Sequence, residues 1–268
     1  MKKIDKAWNK IIELSDKIDD YFGIYMSYSL RFFNEEELKK ADDSFAFFSR
    51  GRKKQLVLHP YVLNMMMEGK EELVESILFH EYVHFFNYLK IKELDINTDF
   101  LSQKSDISLF NFVIRIGYRF WTEFEAYAKT SKRFGNEVET ILTKDMMIRK
   151  CNEIKSFSNS ISSEEEFNNL LTKVEDFTYD LAKYIGESLF VEENNNDIDK
   201  NFNNLIDKLH KLCVKMYKNT YSKYLPKRLF NIGECLLNEI YVPCNVYICR
   251  SEKRWVYFYD KGEKRWKK

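Results

Sequence analysis

Glycine, proline and long apolar runs are scarce in this sequence of 268 residues. It contains 8 glycines and 3 prolines, the residues that most often interrupt helices, so their rarity favours long helices and few tight turns. No stretch reaches the roughly 18 uncharged apolar residues that a membrane-spanning helix needs. The N-terminal residues 1–20 lack the apolar segment of a signal peptide. We therefore expect a cytoplasmic protein with no membrane partner.

A charge imbalance and paired-cysteine motifs are also missing. The 43 basic and 42 acidic residues give a net charge of +1, so no overall field attracts nucleic acid, and we expect no nucleic-acid partner. The five cysteines are an odd number without C-x-x-C spacing, which favours free thiols in a reducing compartment rather than a cysteine zinc site. A disulfide between Cys244 and Cys249 is the alternative. The 44% hydrophobic content suffices for a folded core.

Two of only four histidines stand together in one motif, because residues 80–84 read H-E-Y-V-H. They lie in the segment 71–90, for which we predict a helix. His80 and His84 are four residues apart, so they project from one helical face and can share one metal ion. Glu81 is adjacent and can take a proton from a water activated by that metal. Chance alone gives about 0.005 such matches in a chain of this composition. The alternative is a pair of core histidines hydrogen-bonded within the fold.

The motif supplies two ligands, whereas a catalytic zinc usually has three protein ligands and one open position. No glycine and histidine follow His84 in the metzincin pattern, and His59 and His210 are the only other histidines. We interpret His59 as a turn or surface residue, with a place near the cleft as the alternative, and His210 as a surface residue. A carboxylate is therefore favoured as the third ligand, as in sites built from two histidines and a glutamate.

A second long helix, predicted over residues 108–134, offers two carboxylates. Glu123 is the only charge on an apolar stripe of this helix, where a carboxylate is costly unless it is paired or bound to metal. Glu125 falls on a side that can remain solvated. We therefore predict that His80, His84 and Glu123 bind one Zn²⁺. The alternative for Glu123 is a buried ion pair with Arg115 or Arg119.

His80-Glu81-x-x-His84 and the later Glu123-x-x-Ala126 together resemble gluzincin-type zinc metallopeptidases. They are most similar to the ImmA/IrrE-like group of small bacterial and phage enzymes. The resemblance covers about residues 43–134. It implies a zinc peptidase with a short sheet before the motif helix and Glu123 as the third ligand. It also implies a protein or peptide substrate, such as a repressor.

The predicted fold class is α+β and mostly α. Residues 1–135 are expected to form a zincin-like core of a small β-sheet, the HExxH helix and the Glu-bearing helix. Residues 136–268 are expected to form a mainly helical region of unknown role, with a terminal β-hairpin over 245–260. Predicted helices cover 3–21, 71–90, 108–134, 136–157, 162–190, 199–218 and 226–241, and a linker is predicted at 192–197.

A β-hairpin is predicted just before the motif helix. The apolar runs 44–49 and 55–59 are joined by a charged connector that contains glycine, as is typical of a hairpin. The second strand is a candidate edge for pairing with an extended peptide. The segment Ile24–Leu30 is a further candidate strand.

The function predicted from these residues is zinc-dependent hydrolysis of peptide bonds, with Glu81 as the general base. A developing oxyanion also needs a donor. Tyr127, one turn beyond Glu123, is the candidate, and ordinary packing of its ring is the alternative. Two other functions remain open at this point. One is a catalytically inactive zincin-like binding or regulatory protein, and the other is a zinc hydrolase that acts on a non-peptide substrate.

Overall fold

The structure is a computed structural model that describes residues 2–24, 28–40, 45–49, 55–101, 107–135, 142–189, 200–251, 254–261 and 264–267. The chain divides into two compact units that are interleaved in sequence. Unit 1 contains Met1–Lys90 and Lys129–Thr140, and unit 2 contains Ile91–Ala128 and Ile141–Lys268. The division expected from the sequence was instead sequential, with its boundary after residue 135. Among the described helices, none combines the length and apolarity needed to cross a membrane.

The α+β, mostly helical fold class is confirmed. The elements that begin in unit 1 are α1 (Lys2–Phe22), β1 (Ser29–Phe32), α2 (Glu35–Lys40), β2 (Ala46–Ser49), β3 (Gln55–Leu58), α3 (Pro60–Met67) and α4 (Glu71–Glu93). Those that follow are a 3₁₀ turn (Asp99–Leu101), α5 (Leu109–Phe134), α6 (Lys144–Ser160), α7 (Glu164–Ser188), α8 (Lys200–Tyr217) and α9 (Leu225–Leu236). The chain then forms a π-helical segment (Leu237–Tyr241), a 3₁₀ turn (Val242–Cys244), β4 (Val246–Ser251), β5 (Arg254–Lys261) and β6 (Lys264–Lys267).

The sheet of unit 1 has the strand order β1-β3-β2. β2 and β3 pair antiparallel, which confirms the predicted hairpin, and β1 pairs parallel to β3. The expectation that β3 offers a free edge is wrong, because β1 and β2 occupy both of its sides. The strand predicted at Ile24–Leu30 is found in part as β1, and residues 25–27 lie outside the described residues, as does the connector 50–54.

Helix α4 is held in unit 1 by aromatic residues on several sides. Phe48 of β2 stacks on Phe85 with ring centroids 4.3 Å apart. Phe22 of α1 contacts Phe79 at 5.1 Å and Phe86 at 5.2 Å. Large buried aromatic pairs contribute beyond the area that they remove from water. The helix that carries the histidines is therefore fixed against both α1 and the sheet.

The last turns of α5 also belong to unit 1, where they pack on α4. Phe134 contacts Phe79 at 5.6 Å, and the Arg133 guanidinium bonds Glu75 at 3.1 Å. Arg133 also lies 4.8 Å from the Tyr21 ring centroid. These contacts fix the rotation and register of α5 against α4, because an Arg held by both a carboxylate and aromatic faces has few alternative positions.

Unit 2 packs α5 closely against α7 and α9 through three glycines. A Cβ on Gly117 would lie 1.9 Å from the Leu229 carbonyl oxygen of α9, and one on Gly233 would lie 2.1 Å from the Val113 oxygen. A Cβ on Gly186 of α7 would lie 2.7 Å from the Phe124 oxygen. The missing side chains thus allow the helix backbones to approach each other directly.

Substituting Gly117 by alanine is expected to destabilise the protein. The clash is with backbone atoms of α9, which cannot rotate away, so the overpacking cost exceeds the roughly 1 kcal/mol that alanine gains over glycine in a helix. We expect the free energy of unfolding to fall by about 2 kcal/mol or more, measured by urea denaturation. Asn152→Ala on the exposed side of α6 is the control. Equal stability of Gly117→Ala and wild type would show that α9 is not packed at this distance.

Most remaining helix predictions are confirmed. Helix α7 begins with a cap, because the Glu166 N–H donates to Ser163 Oγ at 3.2 Å and the Ser162 N–H donates to Glu166 Oε2 at 2.5 Å. α6 starts later than predicted, at Lys144 after the cap Thr143. The predicted linker 192–197 lies outside the described residues.

The terminal hairpin is confirmed as β4 paired with β5, Val246 opposite Tyr259. A third strand, β6, pairs with β5 and extends it to a three-stranded sheet, order β4-β5-β6.

Candidate metal centre

The motif helix α4 begins at Glu71 and carries acidic residues in its first turn, where they complement the positive end of the helix dipole. Its core side is anchored by side chains with no exposed surface, including Val74, Leu78 and Val83. His80, Glu81 and His84 are half-buried on the same helix. The apolar residues thus fix the helix while the three polar side chains keep access to a partly solvated site.

The two histidines converge as the spacing predicted. Their Nε2 atoms lie 3.1 Å apart, with the ring planes at 71°. Two nitrogens bound to one tetrahedral zinc at 2.0–2.1 Å lie about 3.3 Å from each other. The observed separation therefore fits a shared metal ion with only a small adjustment of the imidazole rings.

Glu123 of α5 is the third residue of the predicted ligand set. Like His80 and His84, it is half-buried. Two imidazole nitrogens and one carboxylate oxygen form a ligand set typical of catalytic zinc. The chemistry of these side chains therefore fits the predicted ion.

The burial expected for the two glutamates of α5 is wrong. Glu125, expected on a solvated side, is 2% exposed, whereas Glu123 is half-buried. The reason is the packing within unit 2. The side of α5 that carries Glu125 also carries Tyr118 and Thr122, which are 6% and 5% exposed. Glu123 was chosen from its helical phase, and its role as the third ligand stays a prediction.

Tyr127 lies in unit 2 against α7. Its ring centroid lies 5.1 Å from the Lys183 Nζ. Its Cβ lies 3.0 Å from the position that a Cβ on Gly186 would occupy. The residue is half-buried. These contacts show packing on α7, and the role of Tyr127 as an oxyanion donor stays a prediction.

His59 has a structural position that sequence reasoning did not assign. It caps the N-terminus of α3, where its Nδ1 accepts a hydrogen bond from the Tyr61 N–H at 3.0 Å. Its ring also contacts Phe33 at 5.5 Å. The imidazole thus satisfies a free backbone donor at the helix start, which accounts for a histidine just before Pro60.

A polar cluster behind the motif was missed by sequence reasoning. Tyr82, inside the motif, has no exposed surface and hydrogen-bonds the Tyr28 hydroxyl. Tyr28 donates to Asp19 Oδ2 of α1 at 2.7 Å. The signal available in the sequence was the helical spacing, since Asp19 follows Ser15, which is buried on α1, by four positions. The cluster links α1, the start of β1 and the back of α4.

The carboxyl of Asp19 in this cluster has a raised pKa. Burial, together with the nearby Asp16 carboxylate, raises its pKa from 3.8 to about 7, although a hydrogen bond from Tyr82 acts in the opposite direction. Burial also raises the pKa of Tyr82, so its hydroxyl is neutral at physiological pH. Asp19 therefore stays protonated in the folded protein at pH values where the unfolded chain has lost that proton.

This shift predicts a stability that falls as pH rises from about 4 to about 7, because the folded state binds the proton more tightly than the unfolded state. Asp19→Asn should remove this dependence. At pH 8 the variant should be more stable than wild type by about 1 to 2 kcal/mol, a value reduced for partial solvent exposure. At pH 4 that gain should disappear. Urea denaturation of the variant and of wild type at the two pH values measures the difference in the free energy of unfolding.

Asp20→Asn is the matched control, because it removes the same charge from an exposed position on the same helix. If Asp20→Asn changes the pH dependence as much as Asp19→Asn does, the buried cluster is not its source.

Cysteine does not contribute to the metal group, since all five cysteines are free thiols and none belongs to it. No protein-family model, curated protein or solved structure matches this chain.

Proposed function

We propose that this protein is a zinc-dependent metallopeptidase with a zincin-like core, in which His80, His84 and Glu123 bind one Zn²⁺. The observation that carries the proposal is the 3.1 Å separation of the two Nε2 atoms on one face of α4, with Glu81 next to the first histidine. The resemblance to the ImmA/IrrE-like gluzincins supports the same assignment. A cytoplasmic location belongs to the proposal and agrees with free cysteines.

Bound zinc would polarise the scissile carbonyl and lower the pKa of an attacking water. Glu81 is the general base that takes the proton of that water and transfers it to the leaving amine. The half-buried position of Glu81 leaves it reachable by solvent and substrate. Tyr127 is retained as the candidate donor to the oxyanion.

A catalytic site is favoured over a structural one by the ligand set. Structural zinc sites are closed by four protein ligands, whereas catalytic sites keep one position open. Three residues form the group in the described part of the chain. A structural site also has no use for a base beside its ligands, and Glu81 occupies that place.

Metal-dependent peptide hydrolysis tests the proposal. Purified protein is incubated with a broad peptide library, and cleavage is followed by mass spectrometry before chelation, after chelation and after addition of one equivalent of Zn²⁺. We expect cleavage that stops on chelation and returns with zinc. Zinc binding without cleavage of peptides or of unfolded protein would favour an inactive zincin-like protein or a non-peptide substrate. Cleavage that is insensitive to chelation would exclude a metallopeptidase.

A further inference from the structure

The C-terminal segment 246–268 is strongly basic. Residues 246–268 contain eight Lys and Arg residues, three Asp and Glu residues and six aromatic residues. This segment thus carries a net charge of +5, whereas the whole chain carries +1. The overall balance, from which no nucleic-acid partner was expected, therefore hides a strongly basic segment.

The described part of this segment folds as the sheet β4-β5-β6, whose two faces differ. One face belongs to the core of unit 2, where Val246 and Tyr259 have no exposed surface. The Tyr259 hydroxyl donates to the Ser158 carbonyl at 2.7 Å. Tyr257, on the same face, stacks on Tyr241. Because side chains alternate along a strand, the neighbouring residues point to the opposite face.

That opposite face, here called the outer face, carries a row of three residues across the sheet. Tyr247 of β4 pairs with Phe258 of β5, which pairs with Lys267 of β6. Tyr247 is 39% exposed, and the Lys267 Nζ lies 6.0 Å from the Phe258 ring centroid. Two aromatic rings thus lie next to a cation at a sheet edge.

Further cations surround this row. Arg265 pairs in register with Asp260 on the same face, and the two side chains form an ion pair at 3.4 Å. Arg254 and Lys267 are exposed on this face as well. The described residues of the outer face therefore include three cations, Arg254, Arg265 and Lys267, and one carboxylate, Asp260.

We propose that the outer face binds single-stranded nucleic acid. Bases can stack on Tyr247 and Phe258, because every base presents a π face, and the phosphates can bind Lys267, Arg254 and Arg265. Tyr247 is exposed and Phe258 is half-buried. Accessible aromatic residues on a sheet face, with cations around them, are the arrangement by which sheet domains hold unpaired bases. In a duplex the bases stack on one another, so they cannot stack on Tyr247 and Phe258. This activity does not depend on zinc or on the proposed peptidase function.

The test is fluorescence anisotropy of a labelled 20-nucleotide oligo(dT), titrated with the full chain at several salt concentrations. We expect the single strand to bind more tightly than a duplex of equal length. Its affinity should fall as salt rises, because each bound phosphate releases counterions. Lys267→Glu should weaken binding by about tenfold or more and reduce the salt slope by about 1, and Tyr247→Ala should weaken binding without changing that slope.

Lys211→Glu is the matched control, because it makes the same charge change at an exposed position on α8. It should bind as wild type does. Far-ultraviolet circular dichroism verifies that each variant is folded.

Three results would overturn the proposal. They are no binding of oligo(dT) at low salt, equal weakening by Lys211→Glu and Lys267→Glu, and equal affinity for duplex and single strand. Binding to phosphatidylserine vesicles without binding to oligo(dT) would also overturn it, in favour of a membrane surface.

Discussion

Replacing Glu81 by glutamine is expected to lower kcat by about 10²–10⁴-fold while zinc stays bound. Glutamine has nearly the same shape as glutamate but accepts no proton at neutral pH. The water would then attack without a base, and the leaving amine would receive no proton from this side chain. Because Glu81 is not one of the three grouped ligands, the metal content should not change.

The measurement combines steady-state cleavage of the best library peptide with zinc analysis of the same sample. Glu72→Gln is the control, since it makes the same chemical change at an exposed position in the first turn of α4. It should keep full activity. A Glu81→Gln variant as active as wild type would exclude Glu81 as the base, and one that loses its zinc would assign Glu81 to metal binding instead.

Replacing Glu123 by glutamine is expected to weaken zinc binding by more than about 100-fold. Loss of a direct ligand should cost at least as much as loss of a residue that only orients a ligand, which typically costs 10–100-fold. An amide oxygen lacks the negative charge that a carboxylate offers to Zn²⁺. Titration against a competing chelator measures the affinity.

Glu125→Gln is the matched control for this prediction. It makes the same change two residues away, at a position that is 2% exposed and outside the group of potential ligands. Zinc affinity should be unchanged, although stability can fall because the position is buried. If Glu125→Gln loses zinc and Glu123→Gln keeps it, the third ligand has been assigned to the wrong glutamate.

Local patterns in the sequence predicted most of the elements around the candidate site. The apolar periodicity predicted α1, α4 and α5, and the connector rich in glycine and charge predicted the hairpin of β2 and β3. Each of these signals depends on residues close together in sequence, so it can be recognised without knowledge of the tertiary fold. The convergence of His80 and His84 followed from the same helical period.

Features that depend on contacts between distant residues were not predictable in this way. Glu125 is buried on a side of α5 that also carries the buried Tyr118 and Thr122, and nothing near Glu125 in sequence encodes which elements cover that side. β3 is central because β1 pairs parallel to it across 26 residues. A hairpin pattern does not reveal a third strand on its other side.

The cluster behind the motif is a further case. Tyr82 stands at a variable position of H-E-x-x-H, so the motif gives it no role. Only the fold brings it to Tyr28 and, through that residue, to Asp19. The motif therefore indicates the residues proposed to bind a metal, but not those that hold the back of the helix in place.

X-ray absorption at the zinc edge of the purified protein tests whether His80, His84 and Glu123 bind zinc. We expect one zinc per chain, with two imidazole ligands at about 2.0–2.1 Å, oxygen ligands in the remaining positions and no sulfur at about 2.3 Å. His80→Ala should abolish the signal of bound zinc. A protein that binds no zinc, or a zinc with sulfur ligands from the five free cysteines, would exclude this metal site.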